Sequence, residues 1–359
     1  MNIAYVRSLL NFLEKGIYMS ECKKIAFFNH KGGVSKTTTV FNVGWMLASK
    51  GKKVIMVDAD SQCNLTGMVM GFKGLDELDE NKDNIKVALA PAFESRPKLI
   101  EAVKCFKIDE QENLYLLPGN IKFAEYDITL GMAQTISDSL VTLQNLPGAI
   151  NYLLDETAKK YNADYILIDM SPSLSSINQN LFMISDYFII PTAPDYFSVM
   201  ALDSLSDVLP KWYAQSKRLQ GNEILQDAEY KFPSKIPKFL GNVIQQFNVR
   251  SNQPTEGFKK WFERINEYTN TRFVPSLSKK SMLMRDSCYD QNHILAEISN
   301  FNSLITYAQE HNKPVFALTK EDLKQSGAIW TSSEGNIEKF KELFSNLADR
   351  IVSMTNAEC

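Results

Sequence analysis

Eight consecutive residues, Lys31-Gly32-Gly33-Val34-Ser35-Lys36-Thr37-Thr38, restrict this chain more than its composition does. They follow a short apolar strand, Ile25–Phe28, and lead into a helix over 36–50 that Gly51 closes, with Val40, Val43, Gly44, Leu47 and Ala48 on one face. Strand, glycine loop and helix N-terminus together make an anion cradle. Glycines let backbone N–H groups turn inward, and the helix dipole adds partial positive charge. In such a cradle Lys36 neutralises the β- and γ-phosphates of a nucleotide, and the Thr37 hydroxyl ligates Mg²⁺.

Further along, apolar strands at 53–57, 114–117, 164–168, 187–190 and 239–244 alternate with helical stretches. This pattern predicts an α/β fold, a doubly wound, mostly parallel sheet flanked by helices. One domain over 21–320 is expected, enlarged by surface insertions at about 73–112 and 203–238, neither long enough for a core of its own. Residues 1–20 read as a terminal extension or as a start misassigned ahead of Met19. At the other end, 321–359 reads as a helical segment. Thr319-x-x-Asp322 has the form of a capping box, and Ile337, Phe340, Phe344, Leu347 and Ile351 share one helix face.

Composition narrows the class. The five cysteines are scattered without a CxxC pair, which argues against a disulfide framework, a zinc site or an iron–sulfur site and for a reducing cytoplasm. No apolar run approaches the roughly 18 residues that span a bilayer.

The loop departs from GxxxxGK[ST]: Ser35 stands where glycine is usual, and Lys31 opens the loop. With that second lysine the chain resembles the ParA/MinD group of deviant Walker A ATPases, and the ParA branch in particular, over about 23–72, 113–200 and 239–320. The resemblance implies ATP and Mg²⁺ as ligands, residues 31–38 around the nucleotide, and an ATP-state homodimer in which Lys31 reaches the partner's phosphates. Val57-Asp58-Ala59-Asp60-Ser61-Gln62-Cys63-Asn64-Leu65-Thr66 looks like the family's DxDPQxNxT segment, with Ser61 at the proline position. It assigns Asp60 to orienting the attacking water beside the metal, and Asp58 to supporting that loop. Tyr165–Asp169 has the form of a Walker B strand, whose Asp169 can hold a Mg²⁺-bound water. Ser171 and Pro172 follow, where the family usually has two prolines. Phe188–Ser198 is similar to the next family strand and its loop near the dimer face. Asn248, after the strand at 239–244, is a candidate adenine contact or an ordinary buried or turn asparagine.

The formal charge of −3 averages two unlike regions. Lys231–Arg285 carries eleven basic and three acidic residues, +8 against −11 elsewhere, with Phe258, Trp261 and Phe262 among the lysines. A solvated helix face accounts for such a run. The resemblance implies instead non-specific DNA binding in the ATP state, with Lys259, Lys260, Lys279, Lys280 and Arg285 as candidate phosphate contacts. The expected protein is thus a cytoplasmic, nucleoid-associated ATPase that hydrolyses ATP slowly to partition or position a cargo through a ParB-like partner. A nucleotide-dependent switch that recruits a protein without touching DNA is the alternative. The C-terminal helix mixes acids with bases, unlike the basic membrane helix of MinD-like proteins, so no membrane partner is expected.

Overall fold

A computed structural model describes residues 22–76, 83–136, 143–250, 253–289 and 292–356. The 1–20 segment and positions 77–82 of the first insertion lie outside the described residues. The strands are β1 (Lys23–Phe27), β2 (Val54–Ala59), β3 (Phe106–Lys107), β4 (Leu114–Leu117), β5 (Tyr165–Met170), β6 (Tyr187–Thr192), β7 (Lys238–Phe247), β8 (Val249–Arg250), β9 (Gln253–Pro254) and β10 (Ile294–Ser299). Eight form one sheet in the order β10-β7-β6-β1-β5-β2-β4-β3, parallel throughout except for the β3–β4 edge. The short β8–β9 pair stands apart.

β1 is held on both sides, Ile25 opposite Leu167 of β5 and Tyr187 of β6. Strands enclosed on both faces read as continuous apolar runs, which is why β1, β5 and β6 were visible in the sequence. The chain leaves β1 toward β5 and β2 on one side, while β6, β7 and β10 build out the other. A crevice at the carboxyl end of β1 is the geometric result, and open α/β sheets bind ligands in such crevices.

The pleat sends alternate residues to two apolar layers. Ala26, Phe28, Ile55, Val57, Ile166 and Ile168 face the helices Leu146–Tyr161, Ser176–Ile184 and Tyr196–Gln220. Ile25, Phe27, Val54, Met56 and Leu167 face the helix Lys36–Ser49 and the C-terminal helix Gly327–Asn356. Gly44 permits the first of these helices to lie close: a Cβ there would stand 2.8 Å from Met56 Sδ. The C-terminal helix buries Ile337, Phe340, Phe344, Leu347 and Ile351, the face expected of it. Just before it the capping box is complete, Thr319 N donating to Asp322 Oδ2 at 2.9 Å and Asp322 N to Thr319 Oγ1 at 3.3 Å.

Three findings differ from the sequence reading. Residues 203–220, expected within a surface insertion, continue the helix Tyr196–Gln220 and bury Leu205, Leu209, Trp212 and Leu219. β10 and the antiparallel β3 had not been expected. Cys22, Cys63 and Cys105 are in no disulfide, but Cys288 is disulfide-bonded, a bond the scattered spacing does not predict. Among the described residues no helix is long and apolar enough to cross a membrane.

Candidate functional site

The crevice at the end of β1 is a cleft of about 1100 Å³ lined by Gly32 through Thr38, Asp60, Gln62 and Pro172, with Gln246, Gln309, Glu310 and Asn312 on its far lip. Its floor is built from loop conformations that few residues adopt. Gly33 has φ +70°. Ser35 is also left-handed, at φ 57°, which costs a residue with a Cβ about 1–2 kcal/mol. This is the physical sense of glycine being usual there. The strain is accompanied by two bonds. Ser35 O accepts from Thr39 N at 2.9 Å, starting the helix, and Ser35 Oγ accepts from Gln246 Nε2 at 2.7 Å.

Beside it Gln245, buried in β7, donates to Thr39 Oγ1 at 2.6 Å and to Val34 O at 3.3 Å. Two consecutive glutamines at the end of β7 therefore fasten the phosphate loop. No local signal marks them, since the sheet alone brings residues 211 and 206 positions apart together.

Lys36 projects from the first turn of its helix and is largely buried, at 7% exposure. Burial lowers its pKa, while the charges of Asp169 and Asp60 pull it back up. The three groups thus lie within electrostatic reach of one another. Asp60 Oδ1 accepts from Gln62 N at 3.0 Å, which orients the carboxylate at the rim of the cleft.

Asp58 is wholly buried beneath. Its Oδ2 accepts from Thr66 N at 2.8 Å and Thr66 Oγ1 at 2.6 Å, and its Oδ1 from Asp60 N at 3.2 Å. It therefore braces the Asp60 loop from within. Gly119 leaves room for it, because a Cβ there would lie 3.0 Å from Asp58 Cγ.

Asp169, the last residue but one of β5, is fully buried, and neither carboxylate oxygen has a hydrogen-bond partner of standard geometry. Burial, followed by the charge of Asp58, holds its pKa well above the ordinary carboxylate range, against the pull of Thr37 and Lys36. An orphaned carboxylate in this position fits a bound cation. Among the described residues no group of three His, Cys, Asp or Glu could hold a metal alone. Mg²⁺ characteristically needs only one or two carboxylates, completing its shell with waters and substrate phosphates, so Thr37, Asp60 and Asp169 suit it.

Two expected nucleotide contacts stand elsewhere. Lys31 turns away from the cleft: its ammonium lies 2.5 Å from Asp195 Oδ2 and 3.1 Å from Ser198 Oγ. Asp195 caps the helix Tyr196–Gln220 through Ser198 N at 2.8 Å. Partial burial pushes the Asp195 carboxyl up, but the bonds from Lys31 and Ser198 outweigh it and the net pKa is lowered. Asn248 does not line the cleft either. It is exposed in a turn, accepting from Asn300 Nδ2 at 2.8 Å and from Thr255 N at 3.1 Å. Gln246, two residues earlier and at φ 63°, lines the cleft in its stead.

The basic candidates fall into two groups. Lys259 and Lys260 lie just beyond the carboxyl end of β7, on the helix Glu256–Tyr268, with Lys259 3.1 Å from Glu256. Lys279, Lys280 and Arg285 surround the amino end of β7, where Lys238 Nζ donates to Ser281 O. The ten residues of β7 separate the groups by roughly 30 Å.

Comparison with known proteins agrees with this geometry. Residues 22–220 match the AAA_31 family, described as an AAA domain. The chain is 34% identical over 243 residues to the sporulation initiation inhibitor protein Soj of Bacillus subtilis, covering 67% of this chain and 80% of Soj. It spans 52–64% of the length of several other relatives. Among solved structures, a Corynebacterium diphtheriae protein superposes with a TM-score of 0.67 at 18% identity, over 93% of this chain and 99% of that one. A Borrelia burgdorferi protein, described as a candidate plasmid partition protein and solved with AMPPNP, does so with a TM-score of 0.54 at 20% identity, over 92% and 99%. With the phosphate loop and Asp60 lining one crevice, Asp58 buried under the Asp60 loop and Asp169 buried within reach of Lys36, this chain belongs to the ParA-type P-loop ATPases.

Proposed function

We propose that the protein is an ATP-dependent dimerising ATPase that binds DNA without sequence preference in its ATP state and turns ATP over slowly to position a cargo. The observation that carries the reading is the meeting of Lys36 and Asp60 on one glycine-lined cleft, with the orphaned Asp169 buried within electrostatic reach of Lys36. Gly32 to Thr38 would bind the phosphates through backbone N–H groups, and Lys36 would offset their charge. Asp60, oriented by the Gln62 amide, would position the attacking water. Thr37 and Asp169 would hold Mg²⁺, which when bound neutralises charge on the phosphates.

Lys31 would leave Asp195 to reach the nucleotide of a second copy. Tyr196, Phe197 and Met200, which follow Asp195, are large apolar side chains at 55%, 65% and 51% exposure, which supports an interface at this place. Lys259 and Lys260 near the nucleotide end, and Lys279, Lys280 and Arg285 at the far end, would meet DNA phosphates. An activating partner protein, ParB-like or of another kind, belongs to the same proposal.

ATP turnover and ATP-dependent sedimentation, measured on the wild type and Lys36→Ala, test the mechanism. Turnover should fall at least about a hundredfold in the variant. Undiminished turnover would remove Lys36 from the chemistry. Filter binding with ATP over a salt series separates the two partner classes: retention that weakens steeply with salt supports DNA, and no retention at low salt supports a protein-recruiting switch.

A further inference from the structure

The loop after β5 is where this chain departs from the double-proline pattern, and its structure supplies a substitute. Proline locks φ, and Ser171 does not. Asn178, in the helix Ser176–Ile184 and wholly buried, points its amide nitrogen into that loop. Nδ2 lies 2.8 Å from Ser171 O, 3.0 Å from Ser171 Oγ, 2.8 Å from Ser173 O and 3.2 Å from Ser173 Oγ, and the two hydroxyls are 2.9 Å apart. Two of these neighbours are carbonyl oxygens, which only accept, so the nitrogen must face them. The amide oxygen is left buried with no partner. An unsatisfied acceptor weakens the fold, so stability alone does not explain this side chain. Its backbone N–H also reaches Ser175 Oγ at 3.2 Å. Between the two serines stands Pro172, which lines the cleft and faces Gly32, 4.0 Å from where a Cβ would sit.

We propose that Asn178 is a positioning residue, clamping Ser171 and Ser173 so that Pro172 and the end of the Asp169 strand keep a fixed place against the phosphate loop. This rests on the reading of the cleft as an ATPase site. The clamp does with side-chain hydrogen bonds what a second proline does with a ring.

The test combines amide hydrogen exchange on the nucleotide-free protein with steady-state ATP hydrolysis, for the wild type, Asn178→Ala, Ser171→Pro and the double variant. Asn178→Ala should speed exchange at 173–175 about tenfold while β5 keeps its protection. It should also lower kcat about tenfold or more with KM for ATP within about threefold, as misplacement rather than lost binding requires. Ser171→Pro in that background should restore both readouts to within about threefold of wild type. Wild-type exchange in Asn178→Ala overturns the clamp. Faster exchange with unchanged kcat overturns its role in positioning, as does a joint loss of kcat, KM and melting temperature that Ser171→Pro does not rescue. A wild type that hydrolyses no ATP sinks the ATPase reading instead, and the exchange result still decides the clamp.

Discussion

Asp58 offers a quantitative test of how the floor of the cleft is built. Burial raises its pKa from 3.8 to about 6, against the opposing bonds from Thr66 and the Asp60 amide. The folded protein therefore binds this proton more tightly than the unfolded chain does. Its contribution is favourable at pH values below 3.8 and is lost as pH rises through about 6, so the charged form costs about 3 kcal/mol near neutrality. Asp58→Asn removes the charge but places an NH₂ where one oxygen accepts now, losing one hydrogen bond worth about 1 kcal/mol at every pH. The variant should accordingly be about 0.5 kcal/mol less stable than wild type near pH 4, where the unfolded carboxyl is already half ionised, and about 2 kcal/mol more stable at pH 8. Relief of Asp169, which Asp58 also pushes up, acts in the same direction. Urea unfolding followed by tryptophan fluorescence, without nucleotide, at half-unit steps from pH 4 to 8 measures the difference directly. A stability difference that stays constant across that range within about 1 kcal/mol refutes the argument that Asp58 is held ionised at a cost.

Three further outcomes follow from individual side chains. Gly148→Ala would put a Cβ 1.9 Å from Tyr230 O, a backbone atom, so a loss of about 3 kcal/mol is expected; a melting temperature within about 2 °C of wild type would show that the loop moves freely. Asp195→Asn frees Lys31 from a partly exposed ion pair worth at most about 1 kcal/mol, so stability should barely change while the ATP-dependent dimer fraction rises; an unchanged or smaller fraction by light scattering contradicts the view that Asp195 restrains Lys31. Replacing Lys259 and Lys260 with glutamate should weaken DNA retention and flatten its salt dependence by roughly one power of salt for each phosphate no longer neutralised. An unchanged slope would assign the phosphates to Lys279, Lys280 and Arg285, and an unchanged slope in both charge-reversed sets would leave the basic segment a solvated surface.

The phosphate loop was legible because a single turn supplies its chemistry: Lys36 and Thr37 must follow the glycines directly, so their spacing is written in the sequence. Asp60 and Asp169 were legible because each ends a buried apolar strand. Gln245, Gln246 and Gly119 carried no such mark, since sheet register and a 3.0 Å approach to Asp58 give them their roles. Lys31 stands out in the sequence as a second lysine at the mouth of the loop, but the partner the structure gives it, Asp195, is 164 residues away and carries no local signal. Charged residues and Pro210 hid the core-facing side of the helix Tyr196–Gln220, where Leu205, Leu209 and Trp212 point inward. β10 was hidden by Glu297, whose pKa burial raises, within an otherwise short and uneven apolar pattern.

The glutamines at the end of β7 tie the loop that faces the phosphates to a strand that the short β8–β9 pair separates from the helix bearing Lys259 and Lys260. Linkage makes any traffic along that path two-way. If filled phosphate sites tighten the hold on a polyanion by some factor, the polyanion must tighten the hold on nucleotide by the same factor. Titrating nucleotide with and without duplex, using the wild type and Gln246→Ala, would then give one coupling constant from either end, and a smaller constant in the variant would put the glutamine pair on that path.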